Sequence, residues 1–231
     1  MPLTLEHRRV GDVTIVTCTG RIVEGAESIA LQQMLDDLLV YGPYIILHLK
    51  AVDFVDSSGL GLLMRNITRA RKAHGNVKLC APTRRLIEIL EVTHLRPVCD
   101  LHDTEEEAIG SFYQRSPAGG GSTPLHADIL CVTGSSDVQA YVRGLLGQAG
   151  YGAQTAGNLP DGLILLQVGH PKLIIVDTTM RQMRDTRSGS KFNALADSVP
   201  VIELPEDFAR RDPAQSGQWL LDQVKAVVAG A

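Results

Sequence analysis

Asp56, Ser57 and Ser58 stand together ahead of Gly59-Leu60-Gly61-Leu62-Leu63, and their types and spacing could do chemistry. All three are N-cap types, and the first turn of a helix leaves backbone N–H groups without partners. A hydroxyl seated there lies in the positive end of the helix dipole, where an added phosphate meets donors rather than repulsion. The chemistry on offer is phosphorylation of a serine without unfolding of the protein. In most proteins, Ser and Asp ahead of a helix are caps and nothing more. A hydrolase triad would draw on Ser58, Asp56 and either His48 or His74. However, Asp-Ser-Ser-Gly is not the Gly-x-Ser-x-Gly elbow, and nothing in the chain order brings a base within reach. The residues read as a binding module rather than an enzyme, with no catalytic set, no cofactor and no metal.

The elements that must hold this turn follow from pattern. Residues 3–8 and 13–19 read as strands joined at Gly11-Asp12, a hairpin turn pair, with Gly20 closing the second. Residues 26–40 carry Ile29, Leu31, Met34, Leu35, Leu38 and Leu39 at helical spacing, ended by Gly42-Pro43. A strand over 44–49 leads by a short connection to the serine turn. The helix from 58 to about 74 buries Leu60, Leu63, Met64 and Ile67. It shows Arg65, Arg69 and Lys72 along another face, either a solvated surface or a rim for an acidic partner. A strand at 77–80, a helix carrying Leu86, Ile87, Ile89, Leu90 and Val92, a strand at 98–101 and a helix opened by 103–107 complete the half. The pattern predicts a mixed sheet with helices packed on one face.

The 231 residues suffice for two modest cores, and 44% are hydrophobic. No apolar run approaches a membrane span, and the N-terminus lacks the basic and apolar regions of a signal peptide. Cys18, Cys80, Cys99 and Cys131 lack metal spacing and read as reduced core residues of a cytoplasmic protein. Thirteen basic side chains face 15 acidic ones through Arg115, and nine face 11 beyond it, so each half sits at −2. That balance argues against nucleic acid as a partner.

The string 52–63, Val-Asp-Phe-Val-Asp-Ser-Ser-Gly-Leu-Gly-Leu-Leu, resembles the signature of the STAS domain family, the fold of bacterial anti-sigma factor antagonists. Gly20-Arg21-Ile22 resembles the Gly-Arg-Leu after that family's second strand, and 103–108 its last helix start. The resemblance spans about residues 3–113. It implies a module that binds an anti-sigma factor and serine kinase, with ATP held by the partner, and so frees a sigma factor. It maps the phosphorylated serine onto Ser58, with Ser57 as the second choice, and partner contacts onto Asp56, Ser57, Ser58, Gly59, Leu60, Arg21 and Glu24. Two family acids that flank the phosphorylation site are replaced here: Val23 follows Gly-Arg-Ile, with Glu24 next, and His48 lies in the strand before the turn. A STAS scaffold or adaptor without a serine switch is the alternative reading.

Residues 116–125, Ser-Pro-Ala-Gly-Gly-Gly-Ser-Thr-Pro-Leu, read as a flexible linker between domains at 1–115 and 126–231. The second half alternates strand and helix: strands at 129–132, 151–155, 173–176 and 199–204, helices at 138–149, 162–168 and 217–229, and a polar helix before the last strand. This is a doubly wound parallel pattern. It resembles a response-regulator receiver domain, a flavodoxin-like fold, with Asp177 at the phosphoacceptor position. The positions that hold Mg²⁺ in that family fall on Thr133, Gly134 and Ser135, and Pro205 stands where Ser or Thr is usual. Phosphoryl transfer needs cationic neutralisation of the moving charge. The half therefore reads as a degenerate receiver used for contacts or homodimerisation, against the alternative of a two-component-type regulator phosphorylated at Asp177.

Overall fold

The computed structural model describes residues 1–114, 127–183 and 185–229. The chain divides into two compact units, Met1–Leu125 and His126–Ala231. The linker expected at 116–125 lies outside the described residues.

In the first unit, β1 (Thr4–Val10) and β2 (Val13–Ile22) form the hairpin, followed by α1 (Ala26–Tyr41), β3 (Tyr44–Val55) and α2 (Ser57–Lys72). Then come β4 (Asn76–Cys80), α3 (Arg84–Val92), a 3₁₀ turn at Arg96–Val98, β5 (Leu101–His102) and α4 (Glu105–Tyr113). The sheet order is β1-β2-β3-β4-β5, and only β1 runs antiparallel to its neighbour.

The three parallel crossovers step in one direction, and right-handed connections then place α1, α2 and α3 on the same face. Leu31 and Leu35, Leu63 and Ile67, and Leu86 and Leu90 pack there against Val16, Leu47, Val77 and Leu79. The expectation that all helices share one face fails for α4. It follows the last strand, so no crossover fixes its side, and the other face is apolar enough to need cover. Between Val77 and Leu79, Lys78 turns to that reverse face, its ammonium 4.1 Å from the centroid of the α4 ring Phe112. Tyr44 meets the same ring edge-on at 5.4 Å.

Three predicted boundaries are also corrected. The third strand does not stop at Leu49 but runs to Val55, because it stays paired with β2 through Ile22 across two register shifts that keep Val52 and Val55 buried. β2 passes through Gly20 to Ile22, with register shifts against β3 around it. Gly20 sits at φ +107, and a Cβ there would lie 2.2 Å from the Pro2 carbonyl oxygen. The strand predicted at 98–101 is displaced by the 3₁₀ turn that Pro97 opens, leaving Leu101–His102. Ile29 and Val92, counted among the apolar faces of their helices, are 58% and 81% exposed.

The second unit comprises β6 (Ile129–Val132), α5 (Ser136–Gln148), β7 (Ala153–Ala156), α6 (Leu159–Gly169) and β8 (Leu173–Asp177). These are followed by α7 (Thr178–Gln182), α8 (Arg187–Ala196), β9 (Val201–Leu204), a 3₁₀ turn at Phe208–Arg210 and α9 (Pro213–Ala229). Its sheet is wholly parallel in the order β7-β6-β8-β9. The crossover direction reverses after β7, which puts helices on both faces. Val142 of α5 and Leu220 and Val224 of α9 pack against Cys131, Ile175 and Ile202, whereas α6 approaches Val132 and Phe192 of α8. The single polar helix expected before the last strand is two, α7 and α8. Val228, expected on the apolar face of α9, is 49% exposed.

Candidate functional site

Asp56 is the residue that starts α2. Its backbone is extended, and Oδ1 accepts the Gly59 N–H at 2.7 Å. Oδ2 accepts the Glu24 N–H at 2.9 Å, and its own N–H donates to the Ile22 carbonyl at 3.2 Å. One side chain thus ties the β2–α1 loop to the first turn of α2. The Gly59 amide, and after it the Glu24 amide, hold the Asp56 carboxyl below the usual carboxylate range.

Ser57 is exposed and Ser58 half-buried. The Ser58 hydroxyl donates to the Glu24 carboxylate at 3.5 Å, a long contact. Ser58 opens onto a shallow groove of about 370 Å³ between α1 and α2, whose lining includes Glu24, Ser28, Ile29, Leu62 and Arg65. The hydroxyl is therefore reachable by another macromolecule. Of the other expected contact residues, Arg21 and Glu24 are exposed, but Gly59 and Leu60 point inward. Leu60 is 8% exposed and belongs to the core, because it falls on the stripe shared with Leu63 and Ile67. A Cβ on Gly59 would come within 2.3 Å of the Ile22 carbonyl oxygen.

The two replaced acids do different things. Glu24, one residue after Val23, restores a carboxylate beside the serine. His48 does not flank it. It lies on the reverse face of the sheet, where its Nε2 stands 3.9 Å from Glu105 of α4. His74 lies beyond the far end of α2, a helix of 16 residues that Ser57 begins, roughly 24 Å along its axis from Ser58. Neither imidazole can serve Ser58 as a base. Of the basic row Arg65, Arg69 and Lys72, Arg69 is spoken for by Asp36 of α1; Arg71, outside the row, donates to the Val98 carbonyl at 2.8 Å. Sequence reasoning missed Phe54, which lies opposite Arg21 in the β2–β3 register and is flanked by Arg21 and Arg85. No local pattern signals it, because the pairing depends on a register that shifts.

In the second unit, the carboxyl ends of β6 and β8 meet where the strand order reverses, the usual place for a ligand in such sheets. Asp177 caps the short α7 by accepting the Thr179 N–H at 2.9 Å, and Thr133 donates to its other oxygen at 3.3 Å. Ser135 caps α5, and Thr178 donates to the Leu204 carbonyl just before Pro205. The side chain that meets Asp177 is thus the Thr133 hydroxyl. Among the described residues no group of three His, Cys, Asp or Glu side chains could hold a metal ion.

The STAS domain family model matches residues 4–108. Residues 4–108 are a STAS domain. Its relatives include the anti-sigma-B factor antagonist of Bacillus subtilis (strain 168), 29% identical over 79 residues, which are 34% of this chain and 72% of that protein. A solved structure of a putative anti-sigma factor antagonist from Thermotoga maritima is 22% identical, covers 46% of this chain and 92% of its own, and has a TM-score of 0.44. The Bacillus cell fate determinant SpoIIAA in its phosphorylated form is 20% identical over 47% of this chain and 98% of its own, with a TM-score of 0.40. This is a STAS domain with anti-sigma factor antagonist relatives at low identity. Among the described residues no helix is long and apolar enough to cross a membrane.

Proposed function

We propose that the STAS domain is an anti-sigma factor antagonist of the cytoplasm, a binding module that captures an anti-sigma factor/serine kinase through the surface around Ser58 and is released when Ser58 is phosphorylated. The observation that carries this reading is the half-exposed Ser58 hydroxyl in the first turn of α2, within 3.5 Å of the Glu24 carboxylate. A phosphate adds about −1.5 to −2 charges at that point. The helix terminus favours it by at most about 2 kcal/mol. Repulsion from a carboxylate about 4 Å away is of order 4 kcal/mol per pair of unit charges at an effective dielectric near 20. Repulsion wins, so the Glu24 side chain swings out while its backbone stays pinned by Asp56. The docking surface gains negative charge and loses its shape together. An interface weakened by about 1.4 kcal/mol already binds tenfold less tightly.

The test is capture of the anti-sigma factor from native extract, with and without ATP, by the chain carrying Ser58→Ala or Ser58→Asp. The alanine variant should hold its partner in ATP and the aspartate variant should not. Equal retention by both refutes the switch. A STAS scaffold without a switch is the second reading, and Glu24 favours it, since a carboxylate stands where the phosphate must go.

The second unit is read as flavodoxin-like and receiver-like from its strand order, and as unable to keep a phosphoryl group at Asp177, where hydroxyls replace the metal-binding carboxylates. Its role is contact or homodimerisation. No turnover is assigned to either unit.

A further inference from the structure

Beside the serine turn two cations gather on one aromatic ring. The guanidinium carbons of Arg21, near the end of β2, and Arg85, in the first turn of α3, stand 5.3 and 4.9 Å from the centroid of one ring, Phe54 of β3. Both arginines are exposed. Among the described residues neither makes an ion pair, whereas Arg8, Arg69, Arg84 and Arg211 each meet a carboxylate. Asp56 feels Arg21 only at a distance, and its oxygens are already engaged by the Gly59 and Glu24 amides.

Two like charges gathered on one ring repel each other, and an anion between them relieves that repulsion. The ring attracts each cation and holds its plane, which leaves the N–H edges free for a bidentate acceptor. Pre-orientation lowers the entropy lost on binding. Arg21 adjoins Ile22, whose carbonyl accepts the Asp56 N–H, so this surface is continuous with the serine turn. Continuity with the serine turn makes the occupant a segment of the protein that docks there.

We propose that Arg21, Phe54 and Arg85 form a clamp for a carboxylate-rich segment of the protein that docks at Ser58, an inference that rests on reading the serine turn as the docking surface. The clamp supplies orientation and encounter rate, and Ser58 supplies the release.

The test is fluorescence anisotropy of the full chain with a labelled deca-glutamate peptide, and with deca-glutamine as its uncharged counterpart, at about 20 and about 200 mM salt. The glutamate peptide should bind at low salt and the glutamine peptide should not. Arg21→Gln with Arg85→Gln should weaken binding about tenfold and flatten its salt dependence. Phe54→Leu, which removes no charge, should weaken it severalfold. Lys50→Gln with Lys72→Gln, an equal charge change elsewhere, should leave it within about twofold. Absence of binding to the unaltered chain overturns the clamp, as does an equal loss from the lysine pair or no loss from Phe54→Leu. The assay involves neither kinase nor phosphate, so its failure leaves the serine switch standing, and a Ser58 that is never phosphorylated leaves the clamp standing.

Discussion

Two glycines in the first turns of α2 should respond to alanine with opposite signs. At Gly61 a Cβ would find only the flexible Arg65 guanidinium, at 3.6 Å, so Gly61→Ala gains helix propensity and stabilises the unit by about 0.5–1 kcal/mol. At Gly59 the same methyl would lie 2.3 Å from the Ile22 carbonyl oxygen and 2.9 Å from its Cγ2. That is about an ångström inside ordinary contact, and the obstacle is backbone that cannot rotate away. The helix start must lift off β2, stretching the 3.2 Å bond from Asp56 N–H to Ile22. Overpacking of this kind costs about 1–3 kcal/mol, and contact with backbone places it near the upper end. After the propensity gain, Gly59→Ala should destabilise by about 2 kcal/mol, roughly 8 °C in midpoint for a unit of this size. Thermal unfolding of the whole chain, followed by circular dichroism, measures both variants. Under the proposed switch, Gly59→Ala should also slow phosphorylation of Ser58, which shares the displaced turn. A Gly59→Ala protein as stable as Gly61→Ala would refute the packing argument outright.

Three further outcomes are expected. Asp100→Ala removes the carboxylate 3.4 Å from the almost fully buried Lys78 ammonium and should cost about 2 kcal/mol in urea unfolding, less than for a fully buried pair because Asp100 is half-exposed and Lys78 keeps Ser111 and Phe112. Adding Lys78→Met should recover most of the loss. The hydrogen bond from His102 and then the Lys78 charge hold the Asp100 carboxyl below its ordinary value, so its contribution is present above about pH 4 and fades as pH falls through the lower folded value. Unfolding midpoints at pH 7, 4 and 3 should therefore vary less for Asp100→Asn than for the unaltered chain. Burial pushes the Cys18, Cys80 and Cys131 thiols up to about 12, so a thiol reagent at pH 8 should label them about a thousandfold more slowly in the folded chain than in urea. Acetyl phosphate with Mg²⁺ should leave the intact mass unchanged; a stable adduct on Asp177 would contradict the reading of the second unit.

Much of the first unit was legible because its signals are local. Gly11-Asp12 marked the hairpin, the spacing of Leu31 and Leu35 marked α1, and the cap types at 56–58 placed the start of α2 within one residue. Non-local packing was not legible. The amphipathic period of α4 shows that Ala108, Ile109 and Phe112 are buried, yet it says nothing about which side of the sheet buries them. Leu60 was legible as core from its spacing with Leu63 and Ile67, but Leu62 was not, and only the docked helix shows that it is buried while edging the groove beside Ser58. The Phe54 clamp required a register with two shifts, which no pattern in either strand encodes alone. In the second unit, alternating apolar runs gave the strands, but the split of the polar helix into α7 and α8 depends on Thr186 capping the second piece.

The reverse-face helix sets a lower limit on how short this domain can be made. Ser111 and Phe112 lie past residue 108, yet the Ser111 hydroxyl accepts from Lys78, and Phe112 gives that ammonium its ring and Tyr44 its neighbour. Cutting the polypeptide where family similarity ends would strip Lys78 of its hydroxyl and ring partners, leaving it Asp100 alone, and would unroof Tyr44 on an open sheet. Such a fragment invites aggregation, so any minimal version should retain Tyr113.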